Sequence, residues 1–144
     1  MEKNPFVFLK MEGEISVHNK EETIALSIYR EIESLGIPWS QLVFYGEYGE
    51  TSFLMEFYVK QADSNYIKCF DLPNINEDDL DKLFLKINKT IKPIRQELAE
   101  NLRWTNFTLE LNRDGTFKFN YDYSNLDKSA YQYHMNWKKR YLSN

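Results

Sequence analysis

One cysteine, two histidines and five glycines in 144 residues leave little room for several kinds of chemistry. A single thiol, Cys69, excludes an intramolecular disulfide and a cysteine metal cluster. It sits among Ile67, Phe70 and Leu72, which fits a buried small hydrophobe; a reactive thiol wants a partly exposed, low-pKa setting. His18 and His134 are far apart in sequence, in the first cap region and the last expected helix, with no second histidine nearby to build a zinc site. The glycines form no G-x-G-x-x-G, G-x-x-x-x-G-K-S/T or G-x-S-x-G pattern, and each is expected at a turn or cap. No glutamate is followed two positions on by lysine, so the E-x-K pair common in metal nucleases is missing. No catalytic residue, metal ligand or cofactor is therefore assigned. Long apolar runs are lacking too. Phe6–Leu9 is too short for a signal-peptide core, and nothing approaches a membrane span. The expectation is a cytoplasmic chain with no membrane partner.

What is present is aromatic. Phe, Tyr and Trp make up 16% of the residues, a core-forming composition and not a disordered one. A chain of this length fits one domain, residues 1–144, and needs no covalent staple. The net charge of −4 disfavours a protein that grips the phosphate backbone of nucleic acid, while permitting a basic protein partner.

The elements are well punctuated. Asn19-Lys20-Glu21-Glu22 reads as a capping box ahead of Ile24, Ile28, Ile32 and Leu35 at helical spacing. Gly36 suits a left-handed cap and Pro38 blocks continuation, so residues 20–35 are the first helix. Gln41–Tyr48 and Ser52–Lys60 read as strands, with a third at Tyr66–Asp71 completing a meander. Asn76 caps a second helix, with Ile75 placed to staple against Leu80 and Asp79 closing the box. Its buried stripe is Leu80, Leu83, Phe84, Ile87, Ile91, Ile94, Leu98 and Leu102, and Pro93 inside it should kink or split the helix. Phe107, Leu109 and Leu111 lead into an Asp114-Gly115 hairpin and then Phe117, Phe119, Tyr121 and Tyr123. A last helix at about Lys128–Tyr141 places Tyr133, Trp137 and Tyr141 along one side. After an N-terminal extension, residues 1–18, the order is α-βββ-α-ββ-α. That is an α+β fold: an antiparallel sheet of hairpins and meander with helices packed on one side.

Two surfaces carry the remaining chemistry. The first is acidic. Glu47 and Glu50 flank the first hairpin tip, while Asp71, Glu77, Asp78, Asp79 and Asp81 gather at the start of the second helix. Acids there complement the helix dipole, and Asp78 with Asp79 reads more simply as a helix start than as an acid/base pair. The sharper reading is a surface that meets a basic partner, with Glu47, Glu50, Asp78, Asp79 and Asp81 as contact residues. The second surface is the aromatic sheet, which could serve a small ligand or stack nucleic-acid bases. Against that, no K/R-G-F/Y-G/A-F signature occurs, and core packing accounts for the same rings. Trp104, Phe119, Tyr121 and Trp137 are accordingly expected to be structural.

The order of motifs in the second half carries a resemblance. Trp104-Thr105-Asn106-Phe107 is followed by Asp114-Gly115-Thr116-Phe117, then Tyr121-Asp122-Tyr123 with Leu126, then Trp137-Lys138-Lys139-Arg140-Tyr141-Leu142. With Tyr29-Arg30-Glu31-Ile32, the aromatic hairpin Phe44–Tyr58 and Asp71-Leu72-Pro73, this resembles the YezG-like antitoxin family over about residues 24–142. These are immunity proteins paired with nuclease toxins of LXG and type VII secretion systems. Residues 1–18 precede the usual first helix, and Asn120 stands where such segments more often carry an acidic or similar polar residue. The resemblance implies a cytosolic antitoxin without catalysis, bound directly to a nuclease toxin. A homodimer stays open, and a ligand- or nucleic-acid-binding module is the alternative.

Overall fold

The computed structural model describes residues 10–11, 19–62, 64–126 and 130–143, with Lys10, Met11 and Asn19 described by backbone alone. His18, the Asn19 side-chain cap and the Phe6–Leu9 stretch therefore fall outside the described residues. The elements are β1 (Lys10–Met11), α1 (Asn19–Glu33), β2 (Gln41–Tyr48), β3 (Phe53–Lys60), β4 (Tyr66–Lys68), α2 (Glu77–Gln96), β5 (Asn106–Asn112), β6 (Thr116–Asp122) and α3 (Ala130–Tyr141). The expected α+β order is present, preceded by β1.

The strands form one sheet in the order β1-β6-β5-β2-β3-β4. All neighbours are antiparallel except β1, which runs parallel to β6 through Lys10↔Thr116 and Met11↔Phe117. The β2–β3–β4 meander and the β5–β6 hairpin are thus welded along β2 and β5, from Gln41↔Asn112 to Glu47↔Asn106. The outer strand β4 is short, three residues, which limits edge-to-edge pairing on that side. The third strand is shorter than expected: Cys69–Asp71 leaves the ladder as a 3-10 turn that buries Cys69 fully. Burial pushes that thiol up to about 11, so it stays protonated.

On one face, α1 and α2 cover Leu42, Phe44, Met55, Phe57, Val59, Phe107, Leu109, Leu111 and Phe117. Ile24, Ile28 and Ile32 of α1 and Leu80, Leu83, Phe84, Ile87 and Ile91 of α2 complete this main core. The other face is covered as well. Val43, Tyr45 and Tyr58 are buried against Trp137 of α3. The helices therefore lie on both sides of the sheet, not on one. Alternation along a strand points neighbouring residues to opposite faces, and β2 is apolar on both, from Leu42 to Tyr45.

The caps form where the chain chemistry demands them. Asn76 accepts from the Asp79 amide at 2.8 Å, and Gly36 takes φ +69° just past α1. Gly115 takes φ +94° in the β5–β6 turn, where Asp114 accepts from the Thr116 amide at 2.9 Å. Pro93 does not split α2, which continues three residues beyond it. Pro93 forgoes one bond, to the carbonyl of residue 89, and the rest of the helix is already formed ahead of it. The stripe does end sooner than its periodicity suggested. Leu98 is only partly buried, and Leu102, in a separate 3-10 turn, is 56% exposed.

Gly46 departs from the expectation that every glycine marks a turn or cap. It lies inside β2, opposite Phe107. A Cβ there would sit 2.6 Å from Cε1 and 3.1 Å from Cζ of Phe107. That ring is stacked on Phe44 at 5.9 Å and meets Trp104 edge-on at 5.3 Å, so it has nowhere to retreat. Gly46→Ala is expected to cost about 1–3 kcal/mol by overpacking. In urea unfolding, Gly46→Ala combined with Phe107→Leu should lose less than the two single changes added. Strict additivity would show that the ring and the glycine are not coupled.

Candidate partner-binding surface

Among the described residues, two concave surfaces beside the sheet gather polar and aromatic groups. The first lies along the seam between α3 and strands β2, β5 and β6, where rings and polar groups alternate. Trp137 lays its indole against Tyr45 and Tyr58, with centroids at 5.2 and 5.6 Å, and its Nε1 donates to Thr108 Oγ1 at 2.8 Å. One helical turn earlier, the Tyr133 hydroxyl donates to Asp122 Oδ2 at 2.7 Å and lies 2.9 Å from the side-chain amide of Asn106. Asn106 and Thr108 are the two buried polar residues of the described chain, and each has a partner here. The other Asp122 oxygen accepts from the amide and hydroxyl of Ser124 at 2.9 and 2.7 Å. Partial burial opposes the Asp122 charge, but the hydrogen bonds from Tyr133 and Ser124 outweigh it and hold the carboxyl below its ordinary 3.8.

Next to it, where Glu47 pairs with Asn106 across the strands, Glu47 Oε1 accepts from the Tyr45 hydroxyl at 2.8 Å and lies 3.0 Å from His134 Nε2. Burial first, and then this carboxylate, pushes the Tyr45 phenol far up, so it remains a donor. A small hollow of about 220 Å³ opens beside the seam, rimmed by Asn120, Asn136 and Arg140.

The second surface is at the end of the sheet. The β2–β3 hairpin tip packs beside the C-terminal half of α2, where the Tyr48 hydroxyl donates to Asn88 Oδ1 at 2.6 Å. Arg95 of α2 stacks over Tyr48 and Trp104 at 5.2 and 5.4 Å. Beside it an open groove of about 720 Å³ runs between the hairpin tip, Arg103 and the Tyr123–Leu126 segment.

The structure divides the acidic residues singled out in the sequence. Glu47 and Glu50 both line the end groove. Asp78, Asp79 and Asp81 are exposed in the first turns of α2. Asp79 and Arg95 lie sixteen residues apart on one helix, so the two groups are separated by about 24 Å. They make two patches and not one belt. Glu47 also has a structural task in holding Tyr45 and His134, which its place near a hairpin tip did not reveal. Arg95 and Arg103 were not singled out in the sequence. Nothing in their spacing shows that a helix end and a following turn bring them to the same groove.

The aromatic strand is occupied by the core. Phe117 is buried, and Phe119 and Tyr121 pack partly buried against the main cluster, while Tyr123 lies 56% exposed beyond the strand end. Phe119 and Tyr121 stack on each other at 5.7 Å, and Trp104 covers Tyr121 at 5.6 Å. Trp104 and Trp137 are buried, in line with structural roles. Among the described residues, no three His, Cys, Asp or Glu side chains are grouped to hold a metal ion, and no helix is long and apolar enough to cross a membrane.

Fold and surface together define an α+β domain whose C-terminal helix is latched to its sheet by the motif residues Trp137, Asp122 and Asn106. The family model described as "Immunity protein YezG-like" matches residues 22–144, and the chain belongs to that family. It is 28% identical over 100 residues to "Immunity protein YezG" of Bacillus spizizenii (strain ATCC 23059 / NRRL B-14472 / W23), covering 65% of this chain and 62% of the relative. It is also 28% identical over 94 residues to "Immunity protein YezG" of Bacillus subtilis (strain 168), covering 61% and 62%. The chain thus spans somewhat under two thirds of the length of these relatives.

The depressed Asp122 carboxyl makes the α3 latch acid-sensitive. Its contribution to stability is present above the ordinary value of 3.8 and is lost as pH falls through the lower folded-state value. Tyr133→Phe removes the leading donor to that carboxylate. The variant should melt lower than wild type at neutral pH and lose less on acidification below about pH 4. Thermal midpoints across pH 2–7 read the difference, and parallel curves would exclude Tyr133 as the group that holds Asp122 ionised.

Proposed function

We propose that this chain is an antitoxin that neutralises a nuclease toxin in the cytoplasm by binding it directly, without catalysis of its own. The observation that carries the reading is membership of the immunity-protein family across residues 22–144. The naming of its relatives as immunity proteins supports it further. The net charge of −4 suits a basic partner, because nucleases that hold DNA present positive surfaces that acidic groups can steer toward and cover. Glu47, Glu50, Asp78, Asp79 and Asp81 are the proposed toxin-facing acids. Since they form two patches, one toxin face need not touch both. Glu47 is a poor probe, because replacing it would also disturb Tyr45 and His134.

The first experiment is co-purification of this chain with the product of a toxin gene encoded beside its own. With such a pair in hand, Glu50→Lys and the triple change Asp78→Lys/Asp79→Lys/Asp81→Lys separate the two patches. The patch that faces the toxin should slow association on the order of tenfold at low salt, and the gap should shrink at high salt. The Glu50→Lys midpoint should barely move, while the triple change should melt somewhat lower, because it reverses three charges at the positive end of α2, so rates are compared where every variant is folded. Association rates equal to wild type at low salt for both variants would assign the acids to ordinary solvated surface.

Absence of catalysis is tested directly. The purified chain, incubated with plasmid DNA and Mg²⁺ or Mn²⁺, should leave the DNA intact. Cleavage that disappears in Asp122→Asn or Asp71→Asn would replace this reading with that of a nuclease.

A further inference from the structure

The end of the sheet gathers two arginines without neutralising them. Arg95 Nε donates to the Trp104 carbonyl at 2.8 Å, which with the Tyr48 and Trp104 rings fixes the plane of its guanidinium. Arg103 Nη2 donates to the carbonyls of Gln96 and Leu98 at 3.1 and 2.9 Å, while its Nε is buried without an acceptor. Both line the open end groove. Among the described residues neither is ion-paired, in contrast to Arg113, which is forked onto Glu33. Neither Nη of Arg95, nor Nη1 of Arg103, has a protein acceptor among the described residues. The two charges act on each other: burial first, and then Arg103, pulls Arg95 below its ordinary value. Holding like charges together in a half-buried setting is unfavourable unless an anion joins them. A guanidinium fork matches a carboxylate in shape and charge.

We propose that the end groove receives a carboxylate side chain of the toxin, anchored by Arg95 and Arg103. This rests on the reading that the chain binds a protein toxin, and it adds a basic anchor to a surface otherwise read as acidic. The rim favours one isolated carboxylate over a run of phosphates. Glu47 and Glu50 line the same groove, and a polyanion laid along it would be repelled by both. The same two acids can meet cations that flank the toxin's carboxylate, so one groove offers both signs to a single loop.

The test uses the full chain labelled with ¹⁵N, and acetate as the probe. On titration the Nε–Hε resonances of Arg95 and Arg103 should move and saturate, while that of Arg113, already paired with Glu33, should stay. With the purified toxin, Arg95→Lys keeps the charge but loses the fork, and Arg103→Gln loses the charge. Each should weaken binding roughly tenfold or more. If Arg103→Gln lowers the thermal midpoint, Arg95→Lys and the acetate titration decide. Resonances that ignore acetate overturn the proposal. So does a duplex oligonucleotide that shifts them more strongly than acetate, which would make the groove a phosphate site. Undiminished toxin binding by both variants overturns the groove alone and leaves the antitoxin reading in place. Acetate binding by a wild-type chain that binds no toxin overturns the antitoxin reading, and this occupant with it.

Discussion

The pairing of β2 with β5 joins two hairpins that are distant in sequence, and most of the molecule is arranged around that seam. It runs from Gln41↔Asn112 to Glu47↔Asn106. Such a contact closes a long loop, so its side chains must repay a large loss of chain entropy. They do so on both faces at once. Phe44 and Leu109 face α1 and α2, while Val43, Tyr45 and Thr108 face α3. The tightest point is Gly46 opposite Phe107, where a missing side chain on one strand lets an aromatic ring lie across it. A glycine in a central strand forgoes packing of its own. Here the neighbour supplies that packing.

The two sheet faces are built differently. The α1–α2 side is almost wholly apolar, and its order follows from burial alone. The α3 side mixes rings with a chain of polar partners: Trp137 on Thr108, Tyr133 on Asp122 and Asn106, His134 on Glu47. Hydrogen bonds add less net stability than burial but are more selective about register. A twelve-residue helix with one buried residue could otherwise slide over the sheet. Trp137, Tyr133, Asp122 and Asn106 thus have structural work in the C-terminal half, while Tyr123 and Leu126 lie on the end groove.

Much of this was legible in the residues. Asn76, Gly36 and the Asp114-Gly115 turn announce themselves because each satisfies a local demand of the backbone, and local demands can be read locally. The second helix-bearing face was harder. Reading strands as apolar on one side overlooks the unbroken run Leu42-Val43-Phe44-Tyr45, which is the mark of a strand covered on both sides. Helical periodicity carries on past Gln96, where α2 ends, and so takes in Leu102, which lies in the separate 3-10 turn Glu100–Leu102. The acidic residues fall into two patches for a related reason. Proximity in a list of residues says nothing about which end of a twenty-residue helix a hairpin will touch. The arginine pair depends wholly on tertiary placement, and no spacing rule could have found it.

Cys69, fully buried just past the short edge strand β4, has a practical consequence. A thiol held protonated and out of reach reacts only after the segment around it opens. The rate at which a thiol reagent modifies the intact chain is therefore a clock for opening of the β4 edge, separate from global melting. Because it is the chain's single cysteine, that clock runs without background. A second cysteine engineered on the surface would label at once, so one molecule can carry both a fast attachment point and a slow internal timer.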